Sequence, residues 1–445
     1  MSAKAPKRPA AAGGAFLAGA ASRLLPPSVP LRFFGAAIVF HALGWLALLA
    51  GSPTLPRFAG GLGWTLAGLH LMTLGVLVMT AIGASLQLLP VATRQPLGSF
   101  RWPALLWWLY TPGVAVVALG MGLGAVAALA AGGAAVLTAL VIYAILLARN
   151  LRGARGMPVV LAHGWTALAS LVLVLASAAA LVLAYAGLPT LGRTEALALH
   201  VAFAAFGFMG MLALGFSYIL VPMFALARAP NERRALTSCA LAALGLVLAG
   251  VAAFGAAAPA LRILAILSAA VAVGLHLQLM RTALKTGMRR ELGRSFRLVR
   301  IAWALLAASL VLAFAMVVFP DVALLKTLFG IVLVPGWLLT LVLGMMQRIV
   351  PFLASMHKAP GTKLPRTPSS LTAERPLAVH YLCHLCALAL LAGAAVLDSA
   401  WLSLAAALVG SVGAASFLVF FAILVRRMRL PPAPRSPARP PAPVA

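Results

Sequence analysis

The sequence predicts an all-α membrane protein of about twelve transmembrane helices arranged as three parallel four-helix repeats. Three observations carry that prediction. Long apolar runs fill the chain, basic residues collect in alternate loops, and one glycine–proline spacing recurs three times.

The apolar runs come first. Of 445 residues, 63% are hydrophobic and 9% charged, whereas a water-soluble domain carries about a quarter charged residues. About 20 mainly apolar residues in a helix cross a hydrocarbon layer of about 30 Å. Such runs fall at about 31–51, 62–90, 103–125, 127–149, 158–187, 195–228, 235–257, 260–284, 296–319, 321–350, 376–398 and 400–427. Residues 1–30, with Lys4, Lys7, Arg8 and Arg23, hold no sustained apolar core and are expected to form a cytosolic tail. Residues 428–445, rich in Pro, Ala and Arg, are expected to be a disordered cytosolic tail.

The net charge of +28 reports orientation rather than nucleic-acid binding. Of the 34 lysines and arginines, only Arg57, Arg193, Arg262 and Lys326 fall in the loops after odd-numbered helices. The excess marks the cytosolic side. Both termini are therefore expected in the cytosol, with the lipid bilayer as the main partner and even-numbered helices running from outside to inside. Three cysteines, Cys239, Cys383 and Cys386, sit in apolar spans and make no disulfide framework.

The repeat is the most informative feature. Helix 2 carries Gly75, Gly83 and Pro90; helix 6 carries Gly207, Gly215 and Pro222; helix 10 carries Gly336, Gly344 and Pro351. Each reads G-x7-G-x6-P, and the second glycines stand 132 and 129 residues apart, four helices each time. A fixed period of this kind marks a repeated unit, with repeats at about 31–149, 158–284 and 296–427. Glycine lets a neighbouring helix or a flat ligand approach closely. The proline is expected at the cytosolic end of its helix, where a lost hydrogen bond costs little.

Histidines are the candidates for chemistry. His70 lies 20 residues before Pro90 and His200 lies 22 before Pro222. At 1.5 Å per residue each stands about 30 Å from the cytosolic end of its helix, in the outer part of the membrane. Imidazole is the commonest protein ligand for metals and haem iron, so His70 is the leading candidate, with His200 or His41 as its partner. Relative to the motif glycines, His70 and His200 differ by two residues, and helix 10 offers Phe329 and Ile331 at the matching places. His276 reads as a polar contact between helices, and His163 and His357 as solvated residues at the cytosolic boundary. On helix 11, His380, Cys383 and His384 share a face, with Cys386 nearby, a candidate soft-metal site for copper or zinc. Met72, Met79, Met209 and Met211 lie near the candidate histidines and read mainly as packing.

Absences narrow the function. All six acids, Glu195, Glu232, Glu291, Asp321, Glu374 and Asp398, fall in loops or at helix ends. Ion-coupled transport generally needs a carboxylate at membrane depth. No phosphate-binding glycine loop and no HExxH motif is present.

Twelve helices, cytosolic termini and three parallel arcs resemble subunit I of the haem-copper oxidases. The resemblance implies that His70 stands where that family places an axial ligand of its low-spin haem. It places His200 in the outer region where a helix-6 histidine serves the copper site. The chain departs from the pattern at three places: helix 10 has no histidine, helix 7 has none, and Ala204 stands where a tyrosine is expected. The chain therefore looks like a divergent, NnrS-like relative without a complete oxygen-reducing centre. The expected role is a haem b protein of the bacterial inner membrane, with copper as a second cofactor. Electron transfer, sensing or assembly linked to nitric oxide or to other respiratory membrane proteins fits that scaffold. The alternatives are a cofactor-free transporter or channel for a neutral solute, and a scaffold subunit of a respiratory complex.

Overall fold

The computed structural model describes residues 25–95, 99–154, 156–255, 258–356 and 367–429. Both expected tails fall largely outside the described residues, as does His357.

Twelve helices are long and apolar enough to cross a membrane. They are α1 (Ser28–Ala50), α2 (Trp64–Thr93), α3 (Arg101–Gly122), α4 (Val126–Arg152), α5 (Pro158–Tyr185), α6 (Arg193–Ala225), α7 (Glu232–Val251), α8 (Ala258–Thr286), α9 (Gly293–Val318), α10 (Ala323–Ser355), α11 (Glu374–Val396) and α12 (Ala400–Arg429). All twelve expected spans are present, with ends displaced by a few residues. The largest displacements are α7, which stops six residues early, and α10, which runs five residues further.

The three motif helices lie at the centre. The most apolar stretch of α2 is 94% buried and that of α10 is 67%, against 28% for α7 and α9. Chain neighbours pack around them, and α12 returns to pack on α1, closing the ring. At one end of the bundle, Arg57 in the loop after α1 pairs with Asp398 in the loop after α11. The two are exposed, so the pair is a seam rather than a source of stability.

A feature the sequence did not announce is shared by the three central helices. Each is interrupted by a π-helical stretch: Leu71–Val78 in α2, Ala202–Gly210 in α6 and Val332–Leu339 in α10. Each stretch contains the first glycine of its motif. The π stretch of α10 packs against those of α2 and α6. Such wide turns often mark functional places in helices.

The motif glycines are seats for the preceding helix. A Cβ added at Gly75 would lie 2.6 Å from Phe40, and one at Gly83 would lie 2.8 Å from Phe33, both on α1. Gly207 and Gly215 meet Ser170 and His163 of α5 in the same manner. Gly336 and Gly344 meet Leu305 and Ser295 of α9, Gly336 at a looser 3.4 Å. Phe33, His163 and Ser295 thus occupy one place in the three repeats. Of the two uses open to these glycines, helix contact is the one observed. The prolines do not end their helices: Pro90 and Pro222 stand three residues before the last helical residue, and Pro351 four. In α2 and α6 the chain then leaves through a left-handed residue, Arg94 (φ 59°) and Leu226 (φ 53°).

Candidate functional site

Seven histidines are described, and they fall into three groups inside the helical domain. The first group joins two repeats. His70 on α2 and His200 on α6 bring their ring centres to 6.4 Å with 19° between the planes. Both stand near the end of the first α-helical segment of their helix, one and two residues before the π stretch. Measured from that stretch, their offset shrinks from two residues to one. His70 donates from Nδ1 to the Leu66 carbonyl at 3.0 Å, so its lone pair is on Nε2. The Val174 carbonyl on α5 supports His200, whose Nδ1 has no partner. Both rings are half-buried, whereas the other five described histidines are buried.

The second group lies between α1, α10, α11 and α12. His380 packs edge-on to His41 at 5.8 Å and parallel to His384 at 5.8 Å, with Phe417 stacked on it at 4.6 Å. Each ring is held by one nitrogen. The Trp45 indole N–H donates to His41 Nε2 at 3.1 Å. The Gln347 carboxamide meets His380 Nδ1 at 3.3 Å. The Thr340 hydroxyl donates to the Pro335 carbonyl at 3.0 Å, so it accepts from His384 Nε2 at 2.7 Å. His41 is thereby placed with His380, not with His70.

The four expected metal ligands of α11 are split by the helix. His380 and His384 face inward, at 0% and 2% exposure. Cys383 is half-buried against Gly413, and Cys386 is exposed on the outer face. Among the described residues no group of three or more His, Cys, Asp or Glu side chains stands at metal-binding spacing.

The third group was missed by sequence reasoning. His163 on α5, Tyr218 on α6 and His276 on α8 pack ring to ring, at 5.4 Å and 5.1 Å, with Trp303 of α9 beyond His276 at 6.4 Å. His163 is 1% exposed rather than solvated, because it fills the Gly215 seat. His276 is 0% exposed, as an interhelical contact requires, yet it makes no hydrogen bond. The usable signal was the second motif glycine, whose partner helix must place a residue against it.

No family model matches the chain. No curated protein matches it. Among solved structures, the chain is similar to a haem-copper terminal oxidase determined as a dimer by cryo-EM, with a TM-score of 0.61 and 12% identity over 91% of this chain and 85% of that one. The fold is that of the haem-copper oxidases. At 12% identity the likeness concerns the path of the helices and not their side chains. In this chain α2 and α6 carry histidine and α10 carries none.

Proposed function

We propose that this oxidase-fold chain is a haem-binding protein of the bacterial inner membrane, with His70 and His200 as the residues that would hold the haem iron. The observation that supports the reading is the pairing of these rings across two repeats. Two imidazoles bound to one metal at about 2 Å each hold their ring centres roughly 6 Å apart. The pair here stands at 6.4 Å. The donor chemistry fits as well, since His70 Nε2 and His200 Nδ1 are both left without a protein partner. The carbonyls of Leu66 and Val174 orient the two rings from behind, which is how ligating histidines are commonly held.

The helix-11 region does not fit the same group. Phe417 and His380 are in contact at 4.6 Å, which leaves no slot for a macrocycle, and its cysteines turn away from its histidines. A haem at His70 and His200 would supply a one-electron couple or a place to bind a diatomic gas such as nitric oxide. With no histidine on α7 or α10, the chain lacks the ligands of a complete oxygen-reducing centre. Its roles are electron transfer, sensing or assembly beside other respiratory membrane proteins, in the manner of NnrS-like relatives, with both termini cytosolic.

The test is the optical spectrum of detergent-purified full-length protein, made with haem supplied, before and after dithionite. A Soret band with sharp reduced α and β bands is expected in the wild type. His70→Ala and His200→Ala are each expected to lose the low-spin signature while the protein still elutes as a single species. A featureless wild-type spectrum, or a full low-spin spectrum in both variants, overturns the reading.

A further inference from the structure

The polar atoms around His276 have no use in the haem site. His163 Nε2, both nitrogens of His276 and the Trp303 indole N–H have no hydrogen-bond partner, and the Tyr218 hydroxyl has only the Ser238 side chain beside it. The four residues are 1%, 0%, 5% and 7% exposed. More than nine in ten buried polar groups in native proteins are paired. Four orphaned atoms on three side chains of one ring-to-ring cluster therefore indicate that something other than protein meets them.

We propose that His163, Tyr218 and His276 form a binding site for a first-row transition-metal ion inside the membrane domain. Three features lead there. His163 donates from Nδ1 to the Val159 carbonyl at 2.8 Å. That bond leaves the Nε2 lone pair directed away from its own helix, the arrangement of a ligating histidine. The Gly215 seat, where an added Cβ would lie 2.8 Å from His163, fixes the position of the ring. His276 on α8 supplies a second imidazole with both nitrogens free, packed edge-on to the Tyr218 ring at 5.1 Å.

Charge decides the third ligand. A divalent cation in a low-dielectric interior needs an anion beside it. None of the six acids is buried, and among the described residues no third His, Cys, Asp or Glu stands at metal-binding spacing, Cys239 beside Tyr218 included. Tyr218 lies between the two histidines. As the ion enters, the phenol proton leaves to solvent and the phenolate offsets one positive charge. Two imidazoles and one phenolate suit copper, iron or zinc over magnesium or calcium. The Trp303 N–H is left to donate to a water or anion completing the coordination.

Full-length protein in detergent is stripped with a chelator, titrated with Cu(II) and passed through gel filtration. Copper is the probe because it binds such donors most tightly among the divalent ions of its row and is visible by electron paramagnetic resonance. The wild type is expected to retain one copper per chain, with a phenolate-to-copper charge-transfer band in the visible. Tyr218→Phe keeps the ring and the packing; it should abolish the band and weaken binding by at least about tenfold. His276→Gln should elute without copper. His70→Ala should retain both copper and band, which separates this site from the haem reading. Failure of the wild type to retain copper overturns the proposal, as does unchanged copper and colour in Tyr218→Phe and His276→Gln.

Discussion

Two sealed histidine clusters of equal burial are finished differently. Around His380, every imidazole has one nitrogen held by the protein, through Trp45, Gln347 and Thr340. Around His276, one imidazole is held by its own helix and the other by nothing. The first cluster joins α1 to α11, where the end of the chain returns to its beginning, and its hydrogen bonds are part of that closure. The second lies within the middle of the chain, where α5 to α9 already pack as neighbours. Its polar atoms are not needed for assembly. Burial alone therefore does not separate the two clusters: each imidazole around His380, like His163, keeps one nitrogen held and one free, and His276 differs in having neither held.

The largest effects should be the same in both clusters, because both depend on close helix approach. Gly413 faces Cys383 at 2.9 Å and Gly215 faces His163 at 2.8 Å when a Cβ is added. Gly413→Leu and Gly215→Leu should each cost about 3 kcal/mol or more by overpacking, seen as a large fall in the thermal midpoint in detergent. A tolerated Gly215→Leu would mean that α5 is not seated as described.

Polar substitutions should then divide the clusters. His380→Leu strands the buried Gln347 carboxamide and should cost about 1–3 kcal/mol. His276→Leu removes no hydrogen bond, so in chelator-treated protein its midpoint should stay within about 1 kcal/mol of wild type or rise. Equal losses in the two variants would erase the distinction between the clusters. Trp45→Phe removes one hydrogen bond to His41 and should cost about 1 kcal/mol.

The smallest effect belongs to the Arg57–Asp398 seam. Asp398, by hydrogen bond and by charge, holds the Arg57 guanidinium above its ordinary value. A raised arginine keeps its proton at every accessible pH, and its contribution fades only at strongly alkaline pH. Arg57 is nevertheless fully exposed. Arg57→Gln should leave the midpoint unchanged at moderate salt between pH 6 and 9, and a measurable fall would make the seam part of the closure.

Much of the scaffold was legible because membrane helices write their rules in composition. Apolar length gave the spans, and the repeated glycines and prolines gave the central helices α2, α6 and α10. The pairing of His70 with His200 was half legible: depth could be counted from Pro90 and Pro222, but facing could not. Two residues rotate a position by about 200° on an ideal helix, and the π stretches change that count. His163 was misjudged because its closeness to the helix start suggested water, whereas Gly215 draws it inward. Cys386 was grouped with His380 by sequence distance, though it lies on the opposite face of α11.

By itself the sequence determined the features set by solvent and chain length: a helical membrane domain, its twelve spans and the repeated glycine–proline spacing of three of them. Apolar residues must fill a span of fixed thickness, so these are one-dimensional quantities. Only the tertiary structure decided which histidines meet, which nitrogens are already held and which side chains fill the glycine seats. Those depend on the rotation of each helix about its axis and on contacts between residues as far apart as His41 and His380.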